Sequence, residues 1–227
     1  MKSQKIIVAI DTSDISEADF ILRSLDPQLC MIKVGSIAFS SLGKDFLNLV
    51  SKKGFKIFLD LKFHDIPNTV FESILSFSDC SIDMLTVHLS GGKSMLEKAL
   101  EAAKKINSKV IGVSMLTSLN DNDSIQLFDA TILSQITRLF ALANQINLDG
   151  VVCSPQELKI ANTILKTNII KITPGIRETK SNDDQARTMT AKKAISLGAT
   201  FIVVGRPITK SEDIAASLQN FNILINE

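Results

Sequence analysis

Apolar runs rich in β-branched residues recur along the chain, and most are followed by a segment with apolar residues at helical spacing. These runs predict eight strands, at 5–10, 30–35, 55–61, 82–88, 109–115, 149–153, 168–173 and 200–205. Regular alternation of strands and helices is typical of a parallel sheet. Eight such units in 227 residues predict an α/β fold, a (β/α)8 TIM barrel that forms a single domain over residues 1–227. A doubly wound open sheet is the structural alternative.

The boundaries of some helices can also be predicted. Gly198 follows a segment that predicts a helix over 183–196. Ser154 and Pro155 predict the start of the helix after the sixth strand. Residues 118–130 form the longest polar interruption of the chain, which predicts a loop that contains a short helix.

Composition narrows the classes of function. The chain has 25 basic and 24 acidic residues, and its formal charge of +1 gives no indication of a nucleic-acid or acidic-membrane partner. The first apolar run is too short for a signal peptide, and no stretch reaches transmembrane length. Cys30, Cys80 and Cys153 are widely spaced and odd in number, which is typical of a reducing compartment. We therefore expect a cytoplasmic protein that binds neither nucleic acid nor membrane.

The segment "FLDLKFHDIPNT" contains the most informative charges in the chain. Asp60 and Lys62 come at the end of the third predicted strand, where alternate side chains share a face, and Asp65 follows in a turn. A solvated ion pair in a loop is the alternative interpretation. Three charges at the mouth of a buried strand, however, shift one another's proton affinities, and such groups are typical of catalytic sites.

A barrel has its active site at the carboxyl ends of its strands, and polar residues or glycines occur at most of these ends. They are Asp11, Lys33, Asp60, Lys62, His88, Thr117, Pro174, Gly175, Arg177, Gly205 and Arg206. The loops after strands 7 and 8 commonly hold a phosphate in such barrels. Gly205 would let backbone N–H groups approach an anion, and Arg206 would offer a planar guanidinium, although a turn with an exposed arginine is more common. Segment 175–185 has the length of a lid, with an ordinary loop as the alternative.

From about residue 5 to residue 210, the chain resembles the orotidine 5′-monophosphate decarboxylase family. "FLDLKFHDIPNT" is highly specific to that family, and "TPGIR", "DDQ" and "VVGRPIT" follow in the family's order and spacing. The resemblance implies a TIM barrel that decarboxylates orotidine 5′-monophosphate, as a homodimer and without a metal or organic cofactor. It also implies that Lys62 donates a proton to C6 of the pyrimidine, and that Asp60 and Asp65 complete an Asp-Lys-Asp array.

The same resemblance implies a set of substrate-binding residues. Those expected at the ribose and the pyrimidine are Asp11, Lys33 and Thr117. Those expected near the phosphate and the ring are Pro174, Arg177, Gln185, Gly205 and Arg206. Those expected to reach into the partner subunit's site are Asp65, Ile66 and Thr69.

Two other functions fit parts of the pattern. A sugar-phosphate decarboxylase or aldolase of the same barrel group would share the Asp-x-Lys-x-x-Asp array but would use Mg²⁺, and the sequence has no clear metal-ligand spacing beyond carboxylates. A non-catalytic nucleotide-binding barrel would keep Gly205 and Arg206 and could dispense with the charged array. His64 and His88 fit structural hydrogen bonding as well as a place in the site.

Overall fold

The computed structural model of the chain describes residues 4–178 and 188–226. Eight parallel strands close into a barrel in chain order. They are β1 (Ile6–Ile10), β2 (Cys30–Gly35), β3 (Ile57–Phe63), β4 (Met84–His88), β5 (Lys109–Val113), β6 (Gly150–Val152), β7 (Ile170–Thr173) and β8 (Phe201–Val204). β8 pairs with β1, from Ile6 opposite Ile202 to Val8 opposite Val204, and this pairing closes the sheet. The TIM-barrel prediction is confirmed, and the open doubly wound alternative is wrong.

Helices connect the strands on the outside of the barrel. They are α1 (Ile15–Ser24), α2 (Ser36–Lys52), α3 (Pro67–Leu75), α4 (Gly92–Lys105), α5 (Asp121–Phe128), α6 (Ile132–Gln145), α7 (Leu158–Ile164), α8 (Ala191–Ser196), α9 (Arg206–Thr209) and α10 (Ile214–Leu224). α5 is the short helix predicted within 118–130. The start predicted at Ser154 is confirmed, because a 3₁₀ turn at Pro155–Glu157 leads directly into α7. In the described part of the chain, no helix has the length and apolar character that a membrane span requires.

One helix is shorter than the sequence predicts. α8 begins at Ala191, so the prediction of a helix over 183–196 is wrong for residues 188–190. Met189 forms a β-bridge with Ile176 instead, which engages its backbone before the helix can start. The first N–H of α8, that of Ala191, donates to the Glu178 carboxylate at 2.8 Å. The part of the segment before residue 188 lies outside the described residues.

The strands separate two apolar layers, one inside the barrel and one between the strands and the helices. The interior of the barrel is filled by Ile7, Ala9, Met31, Phe58, Met84, Ile111, Ile172 and Val203. A larger layer between strands and helices includes the alternate strand residues, such as Leu59 and Leu85. Because side chains alternate along a strand, a residue two positions beyond an interior residue also faces the interior. This rule fixes which side chains lie at the carboxyl mouth of the barrel.

Candidate active site

Four neighbouring strands place a polar side chain directly above the apolar interior of the barrel. These polar residues are Asp11, Lys33, Asp60 and Thr86, each two positions beyond an interior residue (Ala9, Met31, Phe58 and Met84). All four lie toward the carboxyl ends of β1 to β4, where active sites of such barrels are built.

Asp60 is at the centre of a chain of charged side chains. Its Oδ1 accepts a hydrogen bond from Lys62 Nζ at 2.9 Å, and its Oδ2 lies 3.7 Å from Lys33 Nζ. Lys33 Nζ in turn donates to Asp11 Oδ1 at 3.0 Å. The structure therefore brings together four predicted site residues from three neighbouring strand ends. Carboxylates and ammonium groups alternate along this row of side chains, so the charges of the cluster balance one another.

Burial and charge act in opposite directions on Asp60. Its side chain is 12% exposed, and burial favours the neutral acid. The ammonium groups of Lys33 and Lys62, with hydrogen bonds from Lys62 and Thr86, outweigh burial and keep the pKa of Asp60 below its usual value. Asp60 is therefore ionised at neutral pH. The side chain of Lys62 is 34% exposed, so a ligand in the barrel mouth can reach its ammonium.

Thr86 also belongs to this cluster, although it is not among the site residues predicted from the sequence. The residue is fully buried on β4. Its Oγ1 donates to Asp60 Oδ1 at 3.1 Å and accepts the backbone N–H of Lys62 at 2.8 Å. The run "MLTVH" could have indicated that Thr86 faces the site, because a period of two places Thr86 on the same face as His88.

Two histidines form a pair beside Lys62. The ring centroids of His64 and His88 are 5.2 Å apart, with the planes tilted by 41°. Burial lowers the pKa of His88, the charges of His64 and Lys62 lower it further, and Asp60 opposes the shift. His88 is therefore neutral at pH 7, with one ring nitrogen as donor and the other as acceptor. Within residues 4–178 and 188–226, no three His, Cys, Asp or Glu side chains are grouped as metal ligands would be.

Asp65, Ile66 and Thr69 lie on the exposed surface next to the cluster. The Asp65 carboxylate accepts the backbone N–H of Ile66 at 2.7 Å, and the Ile66 side chain is 67% exposed. Within the described residues of one chain, Asp65 forms no ion pair with Lys62. One chain therefore brings together two of the three charges of the predicted Asp-Lys-Asp array, and leaves the third facing outward.

The residues expected near a phosphate lie at the ends of the paired strands β7 and β8. Pro174 follows β7 directly, and Gly205 follows β8. Arg206 is exposed and begins α9. Arg177 is half-buried, and its Nη1 donates to the backbone oxygen of the preceding residue at 2.8 Å.

Two predicted site residues remain. Thr117 is half-buried in a turn beyond β5, the strand opposite β1 in an eight-stranded barrel. Its strand therefore lies across the barrel from β1, which Asp11 follows. Gln185 lies outside the described residues.

A separate cleft of about 610 Å³ opens at the amino ends of the strands, away from the charged cluster. Asp83 and Asp149 line this cleft together with several lysines. Asp83 accepts the backbone N–H of Ile57 at 2.9 Å, and Asp149 accepts that of Val110 at 2.8 Å. Both carboxylates therefore hold the beginnings of strands in place, as expected for the stabilising end of a barrel.

The model of the family described as "Orotidine 5'-phosphate decarboxylase / HUMPS family" matches residues 4–221. The chain belongs to this family. It is similar to the orotidine 5′-phosphate decarboxylase of Actinobacillus succinogenes, with 43% identity over 223 residues and 96% of each chain covered. It is likewise similar to the orotidine 5′-phosphate decarboxylase of Mannheimia succiniciproducens, with 43% identity, covering 98% of this chain and 97% of the relative. The family predicted from the sequence is confirmed.

Solved structures of the family share the barrel. The crystal structure of orotidine 5′-phosphate decarboxylase from Lactobacillus acidophilus has a TM-score of 0.87 and 32% identity, and covers 99% of this chain and all of its own. The enzyme from Methanocaldococcus jannaschii, crystallised with the inhibitor BMP, has a TM-score of 0.80 over 98% of this chain. At 23% identity, the latter supports the fold alone. The roles of individual residues in this family member stay predictions.

Proposed function

We propose that this chain decarboxylates orotidine 5′-monophosphate to UMP and CO₂, the final step of de novo pyrimidine nucleotide synthesis, with Lys62 as the proton donor. Relatives named orotidine 5′-phosphate decarboxylase share 43% sequence identity with this chain, and the match covers nearly the full length of both proteins. The observation that supports the role of Lys62 most directly is its ammonium, hydrogen-bonded at 2.9 Å to the buried Asp60 carboxylate at the mouth of the barrel.

In the proposed reaction, the bond between C6 and its carboxylate breaks, CO₂ leaves, and the electron pair stays on C6. This carbanion is poorly delocalised, so a fixed positive charge beside C6 stabilises it as the charge develops. Lys62 supplies that charge and then transfers a proton from Nζ to C6, and the neutral amine regains a proton from water. Opposite unit charges at 4 Å interact by about 4 kcal/mol at an effective dielectric constant of 20. Enzymes lower barriers by roughly 8–23 kcal/mol, so Lys62 supplies part of the effect.

Asp60 has two functions in this proposal. Its carboxylate holds the Lys62 ammonium through a hydrogen bond, so that the positive charge is in place before the reaction begins. It also lies near the departing carboxylate, and repulsion between the two negative charges favours the loss of CO₂. We rank repulsion second, because the carbanion charge develops directly beside Lys62.

The remaining predicted residues would bind the substrate around this centre. Residues assigned to the ribose and the pyrimidine are Asp11, Lys33, Thr117 and Pro174. Residues assigned to the phosphate are Arg177, Gln185, Gly205 and Arg206. Segment 175–185, which was expected to act as a lid, lies outside the described residues from 179 onward. Binding energy from the phosphate would supplement the contribution of Lys62.

We further propose a cytoplasmic homodimer that works without a metal or organic cofactor and forms one domain over residues 1–227. Asp65, Ile66 and Thr69 would reach into the partner subunit's site, and their exposure supports this arrangement. A two-fold axis would make the contact reciprocal, so each subunit would complete the other's site. The cysteines that the structure describes are buried, unpaired thiols, as expected for a reducing compartment.

The proposed function is tested by following the loss of orotidylate absorbance and the release of CO₂ with the purified chain, with and without EDTA. We expect turnover that the chelator leaves unchanged. Turnover of a sugar phosphate that requires Mg²⁺, in place of orotidylate, would instead support the sugar-phosphate branch. Binding of orotidylate without turnover would support a non-catalytic nucleotide-binding barrel.

A further inference from the structure

The backbone of β3 departs from regular strand geometry at Lys62. Its φ angle is 52°, in the left-handed region that residues other than glycine rarely occupy. The pairing of β3 with β4 is regular as far as Leu59 opposite Leu85, and the next pair joins Phe63 to Val87. The longer segment of β3 between these pairs forms a bulge, and bulges often redirect a side chain beside an active site.

Thr86 is the β4 residue that faces this bulge. Instead of a carbonyl of the sheet ladder, its Oγ1 accepts the backbone N–H of Lys62, at 2.8 Å. The same hydroxyl donates a hydrogen bond to Asp60 Oδ1 at 3.1 Å. A hydroxyl has one donor and two acceptor positions, so it can make both bonds at once.

These bonds close a ring that includes the backbone N–H and the side chain of Lys62. The Nζ of Lys62 donates to the same Asp60 Oδ1 that accepts from Thr86. The backbone of Lys62 and its ammonium are therefore both tied, directly or through Asp60, to one hydroxyl. That hydroxyl is fully buried, so water cannot replace it without a change in packing.

We infer that Thr86 is a positioning residue for decarboxylation: it holds the β3 bulge that directs Lys62 into the site and orients the Asp60 carboxylate that receives the Lys62 ammonium. The inference rests on the proposed function. An energetically unfavourable backbone conformation persists only where surrounding bonds hold it, and here the Thr86 hydroxyl supplies such a bond. Without the hydroxyl, the bulge relaxes and Lys62 moves away from C6.

The test compares Thr86→Val, which keeps the shape of the side chain but lacks the hydroxyl, with Thr86→Ser, which keeps the hydroxyl. Thr173→Val is the matched control, because Thr173 is equally buried in β7. Its neighbour Ile172 faces the interior of the barrel, so Thr173 lies on the face toward the helices. For Thr86→Val we expect kcat to fall about 10- to 100-fold, since a displacement of about 1 Å can cost that much, with KM changed less than about threefold. Thr86→Ser and Thr173→Val should both stay within about fivefold of the wild-type kcat.

A second readout separates positioning from general stability. The titratable groups around Asp60 are Lys33 on β2, Lys62 on β3 and His88 on β4, with Asp11 behind Lys33. Loss of the Thr86 hydrogen bond removes one contribution that lowers the pKa of Asp60. The acid limb of the kcat profile should therefore move to higher pH in Thr86→Val and stay in place in Thr173→Val.

The outcomes distinguish this inference from the proposed function. A wild-type chain that does not convert orotidylate overturns the proposed function and the inference with it. An active wild type with an equally active, folded Thr86→Val overturns the inference alone, as does a loss in Thr86→Val that Thr86→Ser shares to the same extent. If Thr86→Val does not fold, Thr86→Ala is measured against the same criteria, because its smaller side chain cannot crowd the bulge.

Discussion

The ammonium of Lys33 lies 3.7 Å from the carboxylate of Asp60, and this ion pair links β2 to the charged end of β3. The sequence predicts Lys33 at the carboxyl end of a strand, and the family resemblance implies that it binds the ribose. In the structure it is also a second cation on Asp60, opposite Lys62. This arrangement explains how a nearly buried carboxylate stays ionised, since two ammonium groups offset the loss of solvation.

We expect Lys62→Ala to lower kcat by about 10⁴-fold or more, because the substitution removes both the charge that stabilises the carbanion and its proton donor. The variant should remain a folded dimer. Lys159→Ala is the control, since Lys159 is an exposed lysine on α7, and its kcat should equal that of the wild type. Steady-state kinetics and circular dichroism check the prediction, and near-normal turnover by Lys62→Ala would rule out the assigned role.

Asp60→Asn should destabilise the chain in a pH-dependent way. The pKa of Asp60 is lowered in the folded state, so its charge contributes stability above the unfolded pKa of about 3.9, and this contribution is lost as the pH falls through the folded pKa. We expect the wild type to exceed Asp60→Asn by about 1–3 kcal/mol in free energy of unfolding at pH 6 to 7. The difference should shrink below about pH 4.

Urea denaturation at fixed protein concentration measures this difference across the pH range. A difference that is the same at pH 7 and at pH 3 would contradict the electrostatic account and point to packing instead.

Gly35→Ala should disturb the site while the fold is retained. A Cβ at Gly35 would lie 2.8 Å from Lys33 Nζ and 3.2 Å from Asp11 Oδ1. The lysine side chain is flexible, so it would move away and loosen its pairs with Asp11 and Asp60. We expect an increase in KM of about tenfold, which corresponds to about 1.4 kcal/mol of lost binding.

A double-mutant cycle with Lys33→Ala checks whether Gly35→Ala acts through Lys33. Effects of the two substitutions that add independently would show that the added methyl group acts elsewhere.

Arg206→Ala should weaken substrate binding more than it changes folding. If the guanidinium binds the phosphate, its loss removes a charge-assisted hydrogen bond of about 1.5–3 kcal/mol, which raises KM by roughly 10- to 150-fold. Orotidine, which lacks the phosphate, provides the matched comparison. Its slow conversion should be the same in both proteins, and a loss of equal size on both substrates would remove Arg206 from the phosphate site.

Mixed dimers test whether Asp65 acts in the partner subunit's site. Lys62→Ala and Asp65→Asn should each be nearly inactive as homodimers. If each site combines Lys62 of one subunit with Asp65 of the other, a mixed dimer contains one intact site. An equimolar mixture allowed to exchange subunits should then recover about one quarter of the wild-type activity, because half of the dimers are mixed and one of their two sites is intact.

Size-exclusion chromatography must first show that the two variants are dimers that exchange subunits. No recovery after demonstrated exchange would place Asp65 in the site of its own chain, or outside the site.

Local sequence was sufficient where one strand or one turn determines the outcome. The period of two in "FLDLKF" predicted that the side chains of Asp60 and Lys62 share a face, since alternation is a property of the strand alone. In the structure, Asp60 lies two positions beyond the interior residue Phe58, and Lys62 Nζ donates to its carboxylate. The helix predicted over 183–196 failed in its described part for the opposite reason. Apolar spacing there fits a helix, but Met189 pairs with Ile176, and neither residue's own neighbours reveal that partner.

Thr86 shows the same limit within the site. Its side of the strand could have been predicted from the position of His88, but its two bonds depend on the bulge at Lys62, which only the pairing of β3 with β4 reveals. Gln185 falls outside the described residues, and the single domain over 1–227 stays a prediction.

The sequence by itself determined the alternation of strands and helices, the family motifs, and the reactive residue types at the strand ends, because each depends on residues close together in the chain. The tertiary structure decided that Lys33, Asp60, Lys62 and Thr86 form one bonded group. Their contacts cross from strand to strand, and the register, the bulge and the closure of the barrel set the distances between strands.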